Sequence, residues 1–229
     1  MPQRSKIDIT GASAKYYDAG MDLLFMGGHR RFMRTVLRKM GTKPGDEILD
    51  MGSGTGRNAS LMIEMLGSTG RILGIDIGQE MLRQSRQRCH KYPNAEFIEA
   101  SIKEPLDFDN KFDKACLFFV LHGFEDEAKK IILENAFQAL KPSGRLWILD
   151  YAEFDLDRLL FPLRWIFTHF ECELASEFLE LDLQAMLKSE EFTDFVSHPM
   201  LGSYLRLLEA RKPGSQKTHN ICNLVFIHN

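Results

Sequence analysis

The sequence predicts a doubly wound α/β fold: a mostly parallel sheet of seven strands with helices on both faces and an antiparallel hairpin at the C-terminal edge. Three observations predict it. Strand-like and helix-like segments alternate from about residue 47 to residue 150. A glycine-rich bend over residues 52–56 joins the first of these strands to the first helix that follows. Two further strand-like segments, near 194–210, are joined by a link too short for a helical crossover, which makes them an antiparallel pair.

The elements follow in order. Residues 1–46 read as one or two helices broken at Gly27-Gly28, an N-terminal helical lid ahead of the main domain of 47–212. Glu47–Met51 is a short buried strand. Arg57–Leu66 places Ala59, Met62, Ile63 and Leu66 at helical spacing. Arg71–Asp76 is the second strand and Glu80–His90 the second helix, with Pro93-Asn94 as a turn. Glu96–Ala100 is the third strand. Asp113–Phe119 is the fourth, nearly all apolar after Lys114, as a strand covered on both faces must be. Glu127–Leu140 is a helix stopped by Lys141-Pro142-Ser143-Gly144, and Arg145–Asp150 is the fifth strand. Strands alternating with helices in this way imply a parallel sheet. Residues 153–190 then read as a long helical insertion rich in Leu and Phe; in the enzymes that the chain resembles, identified below from its motifs, an insertion at this place lies over the active site. The edge hairpin pairs Asp194–Ser197 with Tyr204–Ala210 through a link holding Pro199 and Gly202. The tail of 213–229 ends in an apolar run, Asn223-Leu-Val-Phe-Ile-His. It is an added strand, a contact with a second copy in a homodimer, or a terminus without function.

Composition excludes several function classes. The net charge of −3 gives no reason to expect nucleic acid as a partner. Arg83, Arg86, Arg88 and Lys91 read as the solvated face of a helix. The four cysteines, Cys89, Cys116, Cys172 and Cys222, form no C-x-x-C. That argues against structural zinc or any metal and against a disulfide framework, and it fits a reducing, cytoplasmic setting. The first 17 residues have no apolar core of the signal-peptide kind. The apolar stretch Leu159–Phe170 is interrupted by Pro162, Arg164 and His169 and falls short of the roughly 20 residues that cross a bilayer.

The stretch ILDMGSGTGRNA, residues 48–59, names a ligand class. Bare backbone between a strand and a helix lets a ligand lie against main-chain amides. A nucleoside triphosphate loop would need a lysine after Gly56, and none is there. The dinucleotide pattern G-x-G-x-x-G/A is met only from Gly54 and Gly56 to Ala59, and from Gly52 and Gly54 it meets Arg57 instead. The acids decide more. Asp50 closes the strand directly before the glycines, where a carboxylate is awkward beside a pyrophosphate and suits a cationic ligand. Asp76 ends the second strand, at a position where a carboxylate can accept both hydroxyls of a ribose. A ribose, no phosphate and a cationic portion together describe S-adenosyl-L-methionine, with its ammonium and sulfonium groups.

These same residues carry a family resemblance. The D-x-G-x-G-x-G run at 50–56, Asp76 within GIDIGQEML, ALKPSGRLWILD at 139–150 and the terminal hairpin resemble the class I S-adenosylmethionine-dependent methyltransferases, Rossmann-like enzymes, over residues 45–212. The resemblance implies roles. Gly52, Ser53, Gly54 and Gly56 line the methionine part, and Asp50 holds the cofactor's polar groups directly or through water. Asp76 binds the ribose diol and Ile77 packs on adenine. Ser101 and Ile102 stand where the family often has an acid facing the adenine amino group, so a hydroxyl bond and an apolar contact would replace it. Leu117 and Phe118, at the end of the fourth strand, sit near the sulfonium.

Within that family, YYDAGMDLLFMGGHRRFMR at 16–34 and FVLHGFEDE at 119–127 are similar to the ubiquinone/menaquinone C-methyltransferase branch. That branch commonly has an Arg-Asn pair after the fourth strand, where this chain has His122 and Gly123. His122 is the candidate base, because histidine titrates near neutral pH; it could equally cap the loop. Tyr151 and Tyr17 could orient an acceptor, or serve as strand-end packing and as a lid over the cofactor. The large apolar side chains of 154–170, among them Phe154, Leu160, Trp165 and Phe167, suggest a greasy pocket roof or a peripheral membrane contact. The expected acceptor is therefore a small hydrophobic molecule, quinone-like or lipid-like. Two alternatives stand beside it: a phospholipid amine N-methyltransferase, and a protein that binds the cofactor without turnover.

Overall fold

A computed structural model describes residues 18–22, 25–152 and 173–214. The expectations for Tyr17, for most of the insertion at 153–190 and for nearly all of the tail lie outside the described residues. Seven strands form one sheet in the order β3-β2-β1-β4-β5-β7-β6. They are β1 (Glu47–Met51), β2 (Arg71–Asp76), β3 (Ala95–Glu99), β4 (Phe112–Phe118), β5 (Leu140–Tyr151), β6 (Thr193–Met200) and β7 (Leu205–Arg211). The first five are parallel, β7 runs antiparallel to β5, and β6 runs antiparallel to β7. The helices are α1 (His29–Lys39), α2 (Arg57–Leu66), α3 (Gln79–Cys89), α4 (Asp126–Ala139), α5 (Glu173–Phe178) and α6 (Leu183–Ser189).

Alternation along each strand divides the core between two faces. Ile48 and Ile72 face one side with Met33, Val36 and Leu37 of α1, Met62 and Leu66 of α2, and Leu82 of α3. Leu49, Ala115, Leu117 and Ile148 face the other with Ile132, Leu133 and Ala136 of α4 and Leu183 and Leu187 of α6. Both faces are covered, so buried apolar residues dominate β1 and β4 on both sides, as a parallel sheet requires, with Asp50 and Lys114 the buried ionisable exceptions on them.

The two ends of the sheet differ. At the N-terminal ends of β1 and β4, buried Lys114 pairs with Asp46, and Lys141 bridges Glu47 and Asp113. These pairs close that end with charge. The C-terminal ends carry the glycine bend, which is where open α/β sheets bind ligands.

Two boundaries depart from expectation by more than one residue. The fifth strand begins at Leu140, not Arg145, because Leu140 already pairs with Phe112, and the strand bends at Ser143, whose φ is +67°. Pro199 lies inside β6 opposite Arg206, and the link is the 3-10 turn Leu201–Ser203. A proline is tolerated there because β6 is an edge strand and one side of it needs no N–H donor.

Candidate active site

The glycine bend is held by β2. The N–H groups of Gly52 and Ser53 both donate to the Ile75 carbonyl, at 2.8 and 2.9 Å. Gly52, Gly54 and Gly56 all have positive φ, at +80°, +53° and +70°, a backbone that side chains disfavour. Space adds a second demand at two of them. A Cβ on Gly52 would lie 2.6 Å from a Val120 methyl, and one on Gly56 2.7 Å from Ser85 Cβ. At Gly54 a Cβ would meet nothing within 4 Å, so that glycine faces open space.

Asp76 ties the bend to the next loop. Its Oδ2 accepts from the Gly54 N–H and its Oδ1 from the Gly78 N–H, each at 2.8 Å. Each carboxylate oxygen can accept more than one hydrogen bond, and these two backbone bonds fix the orientation of the group. Ile77, directly after it, is 39% exposed, an apolar surface beside the carboxylate of the kind a flat ring covers.

Asp50 is 2% exposed. Its Oδ1 accepts a weak bond from the Cys116 thiol at 3.5 Å, and its Oδ2 has no hydrogen-bond partner. Burial pushes its carboxyl up to about 7, with the Cys116 bond opposing and the charge of Asp76 adding. Burial, followed by the charge of Asp50, drives the Cys116 thiol well above the usual range, so Cys116 is a donor here and not a nucleophile. A buried, unpaired acid beside a second acid is a site that a cation would relieve. No phosphate fits such a place, whereas an ammonium or sulfonium does.

The remaining predicted cofactor residues are placed less openly. The Ser53 hydroxyl is buried without a partner, 2.8 Å from where a Gly74 Cβ would stand, so it packs onto β2. Ser101 follows β3, and the Ile102 carbonyl accepts from Asn135 Nδ2 at 2.9 Å. Leu117 is fully buried and Phe118 nearly so, on opposite faces of the sheet. The side chain that meets the bend from β4's end is Val120, which the sequence reading did not single out.

An N-terminal segment straps the bend. Residues 18–22 are helical. Asp18 Oδ1 accepts from the Thr55 hydroxyl at 2.8 Å, and its Oδ2 pairs with Arg88 at 2.5 Å. Arg88 also donates to the Thr55 carbonyl and hydroxyl, at 2.9 and 2.8 Å. Arg57 donates to the Asp18 carbonyl at 3.2 Å and pairs with Asp22. The expectation of a solvated basic face therefore holds for Arg83, which pairs with Glu80 on the surface, and fails for Arg88. Arg86 also reaches inward, to the Phe97 carbonyl at 2.9 Å. Their common spacing on α3 concealed different partners.

The third group forms after β4. Phe119 has φ +58°, and its N–H donates to the Leu149 carbonyl at 2.8 Å. That reversal carries the chain into the 3-10 turn Leu121–Gly123. The His122 N–H donates to Asp150 Oδ2 at 3.1 Å, and His122 Nδ1 lies 2.7 Å from Asp150 Oδ1. Asp150 Oδ1 also accepts from the Tyr151 N–H at 2.9 Å. The His122 ring meets the Tyr151 ring edge-on at 5.0 Å, and Phe178 at 6.5 Å. Two of the three predicted catalytic residues are thus side by side. Asp150 was legible as a strand end but not as a partner, because it contacts His122 across 28 residues.

Among the described residues, no group of three or more His, Cys, Asp or Glu could hold a metal ion, and no helix is long and apolar enough to cross a membrane.

Comparison with known proteins gives a family match. The model of the ubiE/COQ5 methyltransferase family matches residues 5–178. The chain is 31% identical over 150 residues to a ubiquinone/menaquinone biosynthesis C-methyltransferase, UbiE, of Pseudoalteromonas translucida, covering 64% of this chain and 59% of that one. It is 32% identical over 141 residues to a 2-phytyl-1,4-naphtoquinone methyltransferase of a Nostoc species, covering 60% and 61%. The match thus spans about three fifths of the length of these curated relatives. A crystal structure of a SAM-dependent methyltransferase from Aquifex aeolicus aligns with a TM-score of 0.59 at 21% identity, covering 78% of this chain and 88% of that one. At that identity the likeness speaks to the fold, and it is the Rossmann-like methyltransferase fold.

Proposed function

The chain belongs to the ubiE/COQ5 methyltransferase family, and on that premise we propose that it transfers a methyl group from S-adenosyl-L-methionine to a hydrophobic, quinone-like ring. One observation carries the cofactor part: two carboxylates, Asp50 and Asp76, flank a glycine bend that has no side chain at Gly54 and no lysine. Asp50 answers the cationic methionine end, Asp76 the ribose diol and Ile77 the adenine. When bound, the cofactor supplies a methyl carbon on a positively charged sulfur, which leaves as a neutral thioether.

The acceptor class rests on the relatives' named substrates and on the apolar composition of 154–170. A ring carbon is nucleophilic when an adjacent hydroxyl feeds it electrons, so the hydroquinone form is the reactive one. Residues 1–46 act as a lid, anchored by Asp18 at the bend, and the segment of 153–190 supplies the apolar surface for a prenyl tail. His122 takes the hydroxyl proton, and Tyr151 orients the ring.

The test has two arms. Isothermal titration with S-adenosyl-L-methionine compares the unaltered protein with Asp76→Ala, for which binding should weaken at least about tenfold, since a hydrogen bond to a charged group contributes roughly 1.5–3 kcal/mol. Methyl-labelled cofactor is then supplied with reduced prenyl naphthoquinones or with phospholipids. Label in the quinol fraction supports the reading; label in phospholipid amines alone, or unchanged affinity in Asp76→Ala, overturns the corresponding part.

A further inference from the structure

We propose that the exposed face of α1, with the Met26 tip that precedes it, docks the protein on an anionic lipid bilayer.

Charge is divided unevenly along the chain. Residues 1–43 hold nine of the 29 Lys and Arg but only three of the 32 Asp and Glu. Six of those basic residues, Arg30, Arg31, Arg34, Arg38, Lys39 and Lys43, lie on α1 or just after it, all exposed, and α1 itself holds no acid. At the helical repeat, Arg30, Arg31, Arg34 and Arg38 fall within about 100° of arc, opposite the fully buried Met33 and Val36. Counter-charge is sparse. Glu64 of α2 is shared by Arg30 and Arg34, at 3.5 and 3.4 Å. Arg38 donates to the Arg34 carbonyl and the Thr35 hydroxyl, neither of them a charged group. Helix stability does not account for the pattern. Arg38 and Lys39 suit a helix C-terminus, but Arg30 and Arg31 stand in the first turn, where the macrodipole disfavours cations. An external anionic surface offsets that cost, and the acidic remainder of the chain, repelled by the same surface, orients α1 toward it.

Met26 says which anionic surface. It is 94% exposed at φ +46°, on a turn closed by the Gly28 N–H bond to the Phe25 carbonyl at 2.7 Å. Cations at the headgroups and an apolar side chain beneath them are the combination a bilayer binds. Nucleic acid would answer the charge but not the methionine. Among the described residues, no large exposed apolar side chain is aromatic, so none offers a base a stacking platform. The tip is also tied to the site: Phe25 meets the Phe119 ring at 6.2 Å, directly after β4. A docked bilayer therefore lies against the segment that touches the end of β4, where an acceptor dissolved in lipid would enter.

The experiment uses the full chain without cofactor or acceptor. Co-sedimentation measures binding to vesicles of phosphatidylcholine alone and of phosphatidylcholine mixed with phosphatidylglycerol. The anionic vesicles should bind at least about tenfold more tightly, and added salt should weaken them by screening. Each cation near an anionic surface strengthens binding about fivefold, so Arg31→Gln combined with Arg38→Gln should weaken it at least about tenfold. Met26→Ser should weaken it several-fold. Lys130→Gln combined with Lys188→Gln removes the same charge from exposed positions on α4 and α6, across the sheet, and should leave binding within about twofold. Urea unfolding should be unchanged in all three variants. No vesicle binding, equal binding to neutral and anionic vesicles, or equal losses in the two double variants overturns the proposal. A duplex oligonucleotide bound more tightly than the anionic vesicles overturns it as well, and assigns the face to nucleic acid. Vesicle binding is read without turnover, so a failure of methyl transfer bears on the acceptor alone.

Discussion

Asp18 accepts the hydroxyl hydrogen bond of Thr55 at 2.8 Å, 37 residues away in sequence, and so ties the N-terminal segment to the glycine bend itself. Arg88 completes the tie, holding both Asp18 and Thr55. Arg88→Ala removes three donated bonds from a partly buried network. Residues 18–22 should then exchange amide hydrogens at least about tenfold faster, the equivalent of roughly 1.4 kcal/mol of local stability, and cofactor affinity should fall several-fold. Hydrogen exchange with mass spectrometry reads the first effect. Protection unchanged in 18–22 would mean that these bonds do not hold the strap.

Gly54 and Gly56 make a contrasting pair. Both need positive φ, but a Cβ on Gly56 meets Ser85 Cβ at 2.7 Å and Cα at 2.8 Å, whereas one on Gly54 meets open space. Backbone of a packed helix cannot give way cheaply. Gly56→Ala should therefore cost on the order of 3 kcal/mol, combining left-handed strain of about 1–2 kcal/mol with overpacking. Gly54→Ala should cost the strain alone, yet lose at least as much cofactor affinity because its methyl enters the ligand's space. Urea unfolding paired with cofactor titration separates the two; equal stability losses would contradict the packing argument.

The contrast also marks what a sequence makes legible. Strands, helices and the bend follow from periodicity and glycine, which act over a few residues, and β1, α2 and β2 lie where the pattern put them. The acids at strand ends were readable because a strand's end is a place in the fold. Asp150 and Val120 were not, since their importance comes from a register between strands and from the reversal at Phe119, which no local pattern encodes. Arg88 failed for a related reason: a helix face looks solvated until another segment is laid upon it.

Asp50 sets a pH dependence. Its carboxyl ionises near 3.8 in the unfolded chain and at about 7 in the folded one. The folded state keeps the proton longer, so the contribution of this group to stability is most favourable below about pH 4, falls as pH rises toward 7, and reaches its full penalty above it. Asp76 on β2, Cys116 on β4 and Cys89 on α3 are the titratable groups facing it. Asp50→Asn removes the penalty. It should be about 2 kcal/mol more stable at pH 8 and unchanged at pH 4, against an upper bound of about 4 kcal/mol for the full shift. Cofactor affinity should move the opposite way, because a cation prefers the ionised acid: rising up to pH 7 in the unaltered protein and flat, at least about tenfold weaker, in Asp50→Asn. A variant that loses stability at pH 8 would refute the burial argument.

His29 works with the opposite sign. It is buried against Phe25 with no partner for Nδ1. Burial, then the charge of Arg57, lowers its ionisation from 6.5 to about 4, with Asp22 and Asp18 opposing. The folded state binds fewer protons there, so the contribution of this group to stability is intact above pH 6.5 and is lost as pH falls toward 4, by up to about 3 kcal/mol. A charged His29 would also stand beside Arg57, which holds Asp22 and the Asp18 carbonyl. Acid should accordingly loosen the strap before it unfolds the sheet. His29→Phe removes the titrating group, and its stability at pH 7.5 should lie within about 1 kcal/mol of the unaltered protein. At pH 4.5 it should be the more stable of the two, by urea unfolding, and amide protection in residues 18–22 should persist. Equal acid sensitivity in both proteins would assign the loss to the carboxylates of the strap and not to this imidazole.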